Sequence, residues 1–186
     1  MPKNADGALI PGAISPTRAV PSSVVRPEYV GRPAPAAHTG GDKYDHETIE
    51  RIRKASRIAA EALQLVLTSA KPGMTTDELD AIGHEFLVSK GAYPSTLGYR
   101  GFPKSLCSSL NEVVCHGIPD DTVMEEGDLL NIDISAYIGG VHGDTNGTVI
   151  IGQAAQAVHD LVERTHEAMM RGIRAALPGR EVNIIG

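Results

Sequence analysis

The apolar positions change period several times along this chain, and the changes mark its elements. From Asp45 to about Ala70, apolar residues at Ile49, Ile52, Ala55, Ala59, Ala62, Leu63, Val66 and Ala70 recur in steps of three and four. That spacing makes one stripe of an amphipathic helix, stopped by Pro72-Gly73. Thr75-Thr-Asp-Glu78 has the spacing of a capping box and starts a second helix, which runs to about Lys90, ends at Gly91 and buries Leu79, Ile82, Phe86 and Leu87. Tyr93-Pro94 and Phe102-Pro103 force extended or turning backbone. Leu106–Leu110 and Val113–Cys115 read as short strands, Gly117-Ile-Pro119 breaks the chain, and Glu125–Asp128 is a turn. Leu129–Ile138 is rich in isoleucine, and Val141–Ile151 resumes a β-branched pattern. Gly139-Gly140 between them suits a two-residue hairpin loop, which needs positive φ. A third helix spans about Ala154 to Leu177 and ends in Pro178-Gly179.

The hairpin carries the first chemical signal. If Ile138 pairs with Val141, then Asp133 faces Asn146 and Asp144 faces Ser135. Side chains alternate along a strand, so Asp133 and Asp144 share one face as diagonal neighbours about 7–8 Å apart at the backbone. Ile132, Ile134, Ala136, Ile138 and Val141 take the other face and belong to the core. Two carboxylates side by side on an otherwise apolar hairpin repel each other unless something binds them. Three readings follow: a divalent cation, a shared proton, or a solvated sheet edge. All-oxygen ligation suits hard or intermediate divalent metals. Gly147, within the second strand, marks a bulge or a loose strand end.

The helices also suggest a duplication. Shifted by 106 residues, Glu61-Ala62 falls on Glu167-Ala168, Ala70 on Ala176, and Pro72-Gly73 on Pro178-Gly179. The repeated unit is then helix, Pro-Gly, helix and strands. The second copy reaches only the start of its second helix by Gly186, so the sequence reads as the front part of a longer protein. The fold class expected is α+β, an antiparallel sheet with helices on one face.

Residues 1–44 precede all of this as an arm without helical or strand period. It holds seven of the twelve prolines: Pro2, Pro11, Pro16, Pro21, Pro27, Pro33 and Pro35. It reads as an extended linker that packs along the domain of residues 45–186, with Val25, Tyr29 and Val30 the residues best able to do so. Its prolines also fit the aromatic groove of a partner. A net charge of −6 argues against nucleic acid as the main partner. No apolar run is long enough to span a membrane, and no secretory signal follows Lys3, so a cytoplasmic location with Cys107 and Cys115 as reduced thiols is expected.

Further candidates lie between the helices and the hairpin. His116, at a strand end beside Gly117, could bind a substrate carbonyl, donate a proton or ligate a metal; equally it could be solvated. Cys115 precedes it, but adjacent strand residues face opposite ways, which argues against a Cys–His pair. His142 shares the Asp face by parity but sits by the turn. Tyr99 and Phe102, in the glycine-rich loop 98–103, and Cys107 could line a small apolar pocket.

Tyr93-Pro-Ser-Thr-Leu-Gly-Tyr-Arg-Gly-Phe-Pro-Lys-Ser105, Asn111-Glu-Val-Val-Cys-His-Gly-Ile-Pro119, Gly127-Asp-Leu-Leu-Asn-Ile-Asp133 and His142-Gly-Asp144 with Thr148 together resemble the type I methionine aminopeptidases. The arm is similar to the extension of the actinobacterial subgroup. The resemblance implies the pita-bread fold of creatinase-like aminopeptidases, here its first half and the start of its second. It implies removal of the initiator methionine from nascent proteins by metal-hydroxide hydrolysis of the first peptide bond. By the same resemblance, Asp133 and Asp144 are ligands of a pair of divalent ions (Co, Mn, Fe or Zn), and His116 contacts the reacting amide. Tyr99, Phe102 and Cys107 take the methionine side chain, and Asn111 and Val113 bind a structural monovalent cation. The partners implied are N-terminal methionines of nascent chains and, through the arm, the ribosome. The family's remaining ligands, a His and two Glu, have no counterpart here, so the chain alone is expected to be inactive. The alternative expectation is a non-catalytic protein that uses the half-domain and the arm to bind a partner.

Overall fold

The computed structural model describes residues 3–37, 39–41 and 43–186. Pro2, counted with the arm, lies outside them. Two helices come first, α1 (His46–Ser69) and α2 (Thr76–Ser89). Asp45 caps α1 by accepting from the Thr48 N–H at 2.7 Å. Thr75 caps α2 through the reciprocal box with Glu78. The strands follow as β1 (Tyr93–Pro94), β2 (Cys107–Leu110), β3 (Leu129–Ile138) and β4 (Val141–Ile150), and then the helix α3 (Gln156–Ala175). Short 3-10 turns occupy Tyr99–Gly101 and Val182–Ile185. Among the described residues no helix is long and apolar enough to cross a membrane.

All strand pairs are antiparallel, and β3 is the centre of the sheet. It pairs with β4 along its whole length on one side; on the other it pairs with β2 at Leu130–Asp133 and with β1 at Ala136–Tyr137. The register is the expected one, with Ile138 opposite Val141, Asp133 opposite Asn146 and Ser135 opposite Asp144. Gly139 and Gly140 both take positive φ, 63° and 79°, as the two-residue turn requires. Ile132, Ile134 and Ala136 are fully buried against the helices with Ala59, Ala62, Val66, Leu79 and Leu87. The core therefore sits on one face of the sheet, and the opposite face is left for the Asp133 side chain and its neighbours.

Several expectations need correction. Gly147 marks neither a bulge nor a loose end, because the β3–β4 ladder is continuous through it. It is small because α1 lies close: a Cβ there would sit 2.9 Å from Leu67 Cδ1. Val113–Cys115 is a loop, not a strand. Asn111 turns the chain at φ 53°, and its carboxamide accepts from Leu129 N–H and donates to Asp128, which pulls the backbone off the line of β2. Val114 is then almost wholly exposed. The alternating-face argument about Cys115 and His116 lapses with that strand. Ile49 belongs to the exposed side of α1, and Ile58 takes the buried place.

Two element boundaries recur at the 106-residue offset, although the starts of α1 and α3 do not. α3 ends at Ala175, 106 residues after α1 ends at Ser69, and the last 3-10 turn starts at Val182, 106 residues after α2 starts at Thr76. α3 has no buried residue.

The arm lies along the domain. Val20, Val24, Pro27 and Tyr29 are its buried residues among those described, and Val30 packs against the cluster of Val20 and Val24; Val25, expected to pack, is 70% exposed. A polyproline-like segment has no fixed parity from which to choose between Val24 and Val25. Its anchor is a charged cluster. Arg18 bonds Asp77 at 2.9 Å and the fully buried Asp80 at 3.1 Å. Ser15 donates to Asp77 and accepts from Lys104 Nζ at 2.6 Å, and Lys104 itself is fully buried and paired with Asp77. Burial pushes the Asp80 carboxyl above its ordinary value despite the Ser105 N–H and Arg18. Burial pushes Asp77 the same way, but hydrogen bonds from Lys104 and Ser15 and the charges of Lys104 and Arg18 bring it below. Arg18→Ala should therefore cost about 2–3 kcal/mol in chemical denaturation, since it leaves Asp80 buried with less compensation.

Candidate functional site

On the sheet face away from the helices lies an open cavity of about 910 Å³. Its floor is the hairpin: Asp133 from β3, Asp144 and His142 from β4, and Ser135 between them. Cys107 joins from β2, directly opposite Asp133 in the sheet. His116, Tyr99, Phe102 and Ile118 enter from the loops. All six residues assigned above to the divalent ions, the reacting amide and the methionine side chain thus line one cavity. Asn111 and Val113 do not. Asn111 is engaged with Asp128 and Leu129 at the start of β3, and Val113 lines a separate apolar cavity on the far side of β2.

Local sequence explains each placement. Gly143, between His142 and Asp144, lets β4 touch α1: a Cβ there would lie 2.1 Å from Ser56 N. Close seating of β4 on α1 directs its flanking side chains, His142 and Asp144, into the cavity. Gly117 does the same for His116, because the chain after it runs against Ser108 O, 2.1 Å from where a Cβ would be. His116 itself adopts φ 54°, a left-handed conformation that is costly for a side-chain-bearing residue.

The electrostatics of the cavity follow from burial and the two carboxylates. Burial raises the proton affinity of Asp133; the Asp144 charge adds to this and His116 opposes it. Asp144 accepts a hydrogen bond from Ser135 Oγ. Among the described residues neither carboxylate has a Lys or Arg at ion-pair distance. Two such carboxylates with unmet negative charge, open to a cavity, fit a divalent cation with oxygen ligands. A solvated edge does not describe Asp133, which burial already perturbs. Beside Asp133, burial and then the two Asp charges push the Cys107 thiol up to about 12, so it stays neutral and serves as apolar wall. Partial burial lowers His142 below the ordinary imidazole value, against the pull of Asp144. Its Nδ1 lies 2.9 Å from Ser95 Oγ.

Sequence reading did not assign five of the lining residues to the site: Ser135, Ser95, and Glu28, Tyr29 and Pro35 of the arm. Ser135 was visible only as the partner of Asp144, with no sign that its hydroxyl would hold the carboxylate. Ser95 joins Ser135 O through its N–H at 3.0 Å and His142 through its hydroxyl. Tyr29, Glu28 and Pro35 of the arm form part of the cavity wall; of these only Tyr29 had a signal, as an aromatic residue able to pack.

The profile of metallopeptidase family M24 matches residues 50–186. The chain is 58% identical over 96% of its length to "Methionine aminopeptidase 2" of Mycobacterium tuberculosis, of which it spans 63%. It is 44% identical over 96% of its length to "Methionine aminopeptidase 1D, chloroplastic/mitochondrial" of Arabidopsis thaliana, of which it spans 51%. The crystal structure of methionine aminopeptidase from Rickettsia prowazekii superposes with a TM-score of 0.69 at 40% identity, over 70% of this chain and 52% of that one. The chain thus spans about half the length of most of the curated relatives it matches. It belongs to metallopeptidase family M24, and its α+β unit of hairpin and covering helices is part of that family's pita-bread fold.

Proposed function

We propose that the cavity is part of the active site of a methionine aminopeptidase, which removes the N-terminal methionine of nascent proteins. The observation that carries this reading is the meeting, in one cavity, of Asp133, Asp144 and His116 with the apolar side chains of Tyr99, Phe102 and Cys107. Membership of a metallopeptidase family implies a divalent metal, and Asp133 and Asp144 are the residues here that would hold it, as part of a two-ion site for Co, Mn, Fe or Zn. When bound, such ions polarise the scissile carbonyl and make water nucleophilic at neutral pH. The protein's own groups do the rest. Ser135 fixes one oxygen of Asp144 and leaves the other for a ligand. His116, exposed at the rim, is placed to hydrogen-bond the reacting amide. Neutral Cys107, with Tyr99 and Phe102, receives the thioether side chain and excludes water from it. Asn111 and Val113 would be the backbone or side-chain ligands of a monovalent cation.

The arm, residues 1–44, is an extension fixed to the domain of residues 45–186. Burial of Val20, Val24 and Tyr29 opposes a role for it as a free ligand of a partner's groove. Contact with a ribosome would use its outer side, where Val25 is exposed. A cytoplasmic location accords with that substrate.

Saturation transfer from protein to ligand protons tests the pocket. The S-methyl group of L-methionine should receive saturation, and the side-chain protons of L-lysine should not; equal transfer to both overturns the reading. Among the described residues no group of three or more His, Cys, Asp or Glu forms a metal cluster. The 186-residue chain by itself should accordingly release no methionine from a Met-Ala-Ser peptide, and release detected by chromatography overturns that expectation.

A further inference from the structure

We infer that Tyr29 of the N-terminal arm is a positioning residue of the pocket, holding the wall that receives the thioether side chain in register with the carboxylate end. The inference rests on the methionine-pocket reading above. Tyr29 is 5% exposed and lines the cavity. Its ring meets Tyr99 edge-on, with centroids 5.2 Å apart and planes at 89°. On its other side it lies nearly parallel to His142, at 6.1 Å and 17°. Its hydroxyl donates to Ser95 O. Ser95 is the same residue whose Oγ lies 2.9 Å from His142 Nδ1 and whose N–H donates to Ser135 O. Ser135 in turn holds Asp144. One arm residue therefore contacts the apolar wall directly and reaches Asp144 through two serines, Ser95 and Ser135.

The arm is built to keep that ring in place. Val30 N–H bonds Pro27 O at 3.2 Å and Arg32 N–H bonds Tyr29 O at 2.9 Å, which closes a compact turn around the tyrosine. Val30 lies against Gly98, the residue before Tyr99, 3.7 Å from where a Cβ would project. Upstream, Arg18 and Ser15 lock the arm to Asp77, Asp80 and Lys104. A ring gripped from both sides and fixed by its hydroxyl restricts Tyr99 to one orientation, which lowers the ordering cost of binding an apolar side chain.

Three variants of the whole chain separate positioning from simple support: Tyr29→Leu, Tyr29→Phe and Val24→Ala. Each is read by its melting midpoint and by its affinity for L-methionine in saturation-transfer titration. Val24 is buried in the same arm, packed with Val20, Tyr93 and Leu97, and does not line the cavity. Val24→Ala should lower the midpoint and leave affinity within about twofold. Tyr29→Leu should weaken methionine binding by about tenfold or more, and Tyr29→Phe, which keeps the ring, should restore most of it. If Val24→Ala weakens binding as much as Tyr29→Leu, Tyr29 only supports the fold and the inference fails. If wild type binds methionine and Tyr29→Leu binds it equally, the inference fails while the pocket reading stands. If wild type gives no transfer, the pocket reading fails and takes the inference with it.

Discussion

Gly143→Ala should leave β4 unable to seat on α1. The added Cβ would lie 2.1 Å from Ser56 N and 2.2 Å from Ala55 C, both backbone atoms of a long helix that cannot step aside locally. Either the hairpin lifts from α1 or the helix shifts whole, and both routes open the core around Ile132 and Ile134. The cost should exceed about 3 kcal/mol, the upper range for overpacking. Gly147→Ala is the internal control. Its Cβ meets the tips of Leu67 and Leu63, which are free to change rotamer, so it should cost about 1–2 kcal/mol. Urea denaturation of the two variants measures the difference. A Gly143→Ala chain as stable as Gly147→Ala would mean that β4 does not approach α1 as described.

Asp133→Asn should stabilise the metal-free chain at neutral pH and at the same time destroy its cation site. Burial and the neighbouring Asp144 charge raise the Asp133 pKa above its ordinary value of 3.8. The folded chain therefore holds the Asp133 proton at pH values where the unfolded chain has released it. Stability from this group is fully present below about pH 3.8 and is lost as pH rises through the folded pKa. At neutral pH the ionised carboxylate is a net cost to the folded state, and asparagine removes it at nearly constant shape. In a chelator at neutral pH the variant should melt higher, by on the order of a few °C. The gap should close as pH falls toward the ordinary carboxylate range. A variant that melts lower than wild type under chelation would show that the carboxylate has a structural partner instead of unmet charge.

The two predictions show which parts of this molecule its sequence reveals. The hairpin was legible because a strand has a period of two and Gly139-Gly140 fixes where counting starts. Parity alone then puts Asp133 and Asp144 on one face. The helix ends were legible through Asp45, the Thr75–Glu78 box and the Pro-Gly stops. The segment Val113–Cys115 misled because its β-branched residues carry strand propensity, while the deciding event is the left-handed turn at Asn111 and its grip on Leu129 and Asp128. Gly147 misled because a glycine in a strand says that something is close without saying what. The arm was the least legible part. Without a period, nothing in its sequence distinguishes Val24 from Val25 or shows that Tyr29 closes a cavity built by residues 95–144. The His116 conformation and the proximity of Ser95 to His142 are likewise products of tertiary contact.

Everything proposed for the site depends on Asp133 and Asp144 binding a divalent ion together. The direct measurement is Mn²⁺ titration of the 186-residue chain followed by water-proton relaxation, alongside Asp133→Asn and Asp144→Asn. Two carboxylates alone should give weak but saturable binding. Either substitution should weaken it at least tenfold, and chelator should reverse the wild-type signal. Binding that is absent in wild type, or unchanged in both variants, would contradict the account.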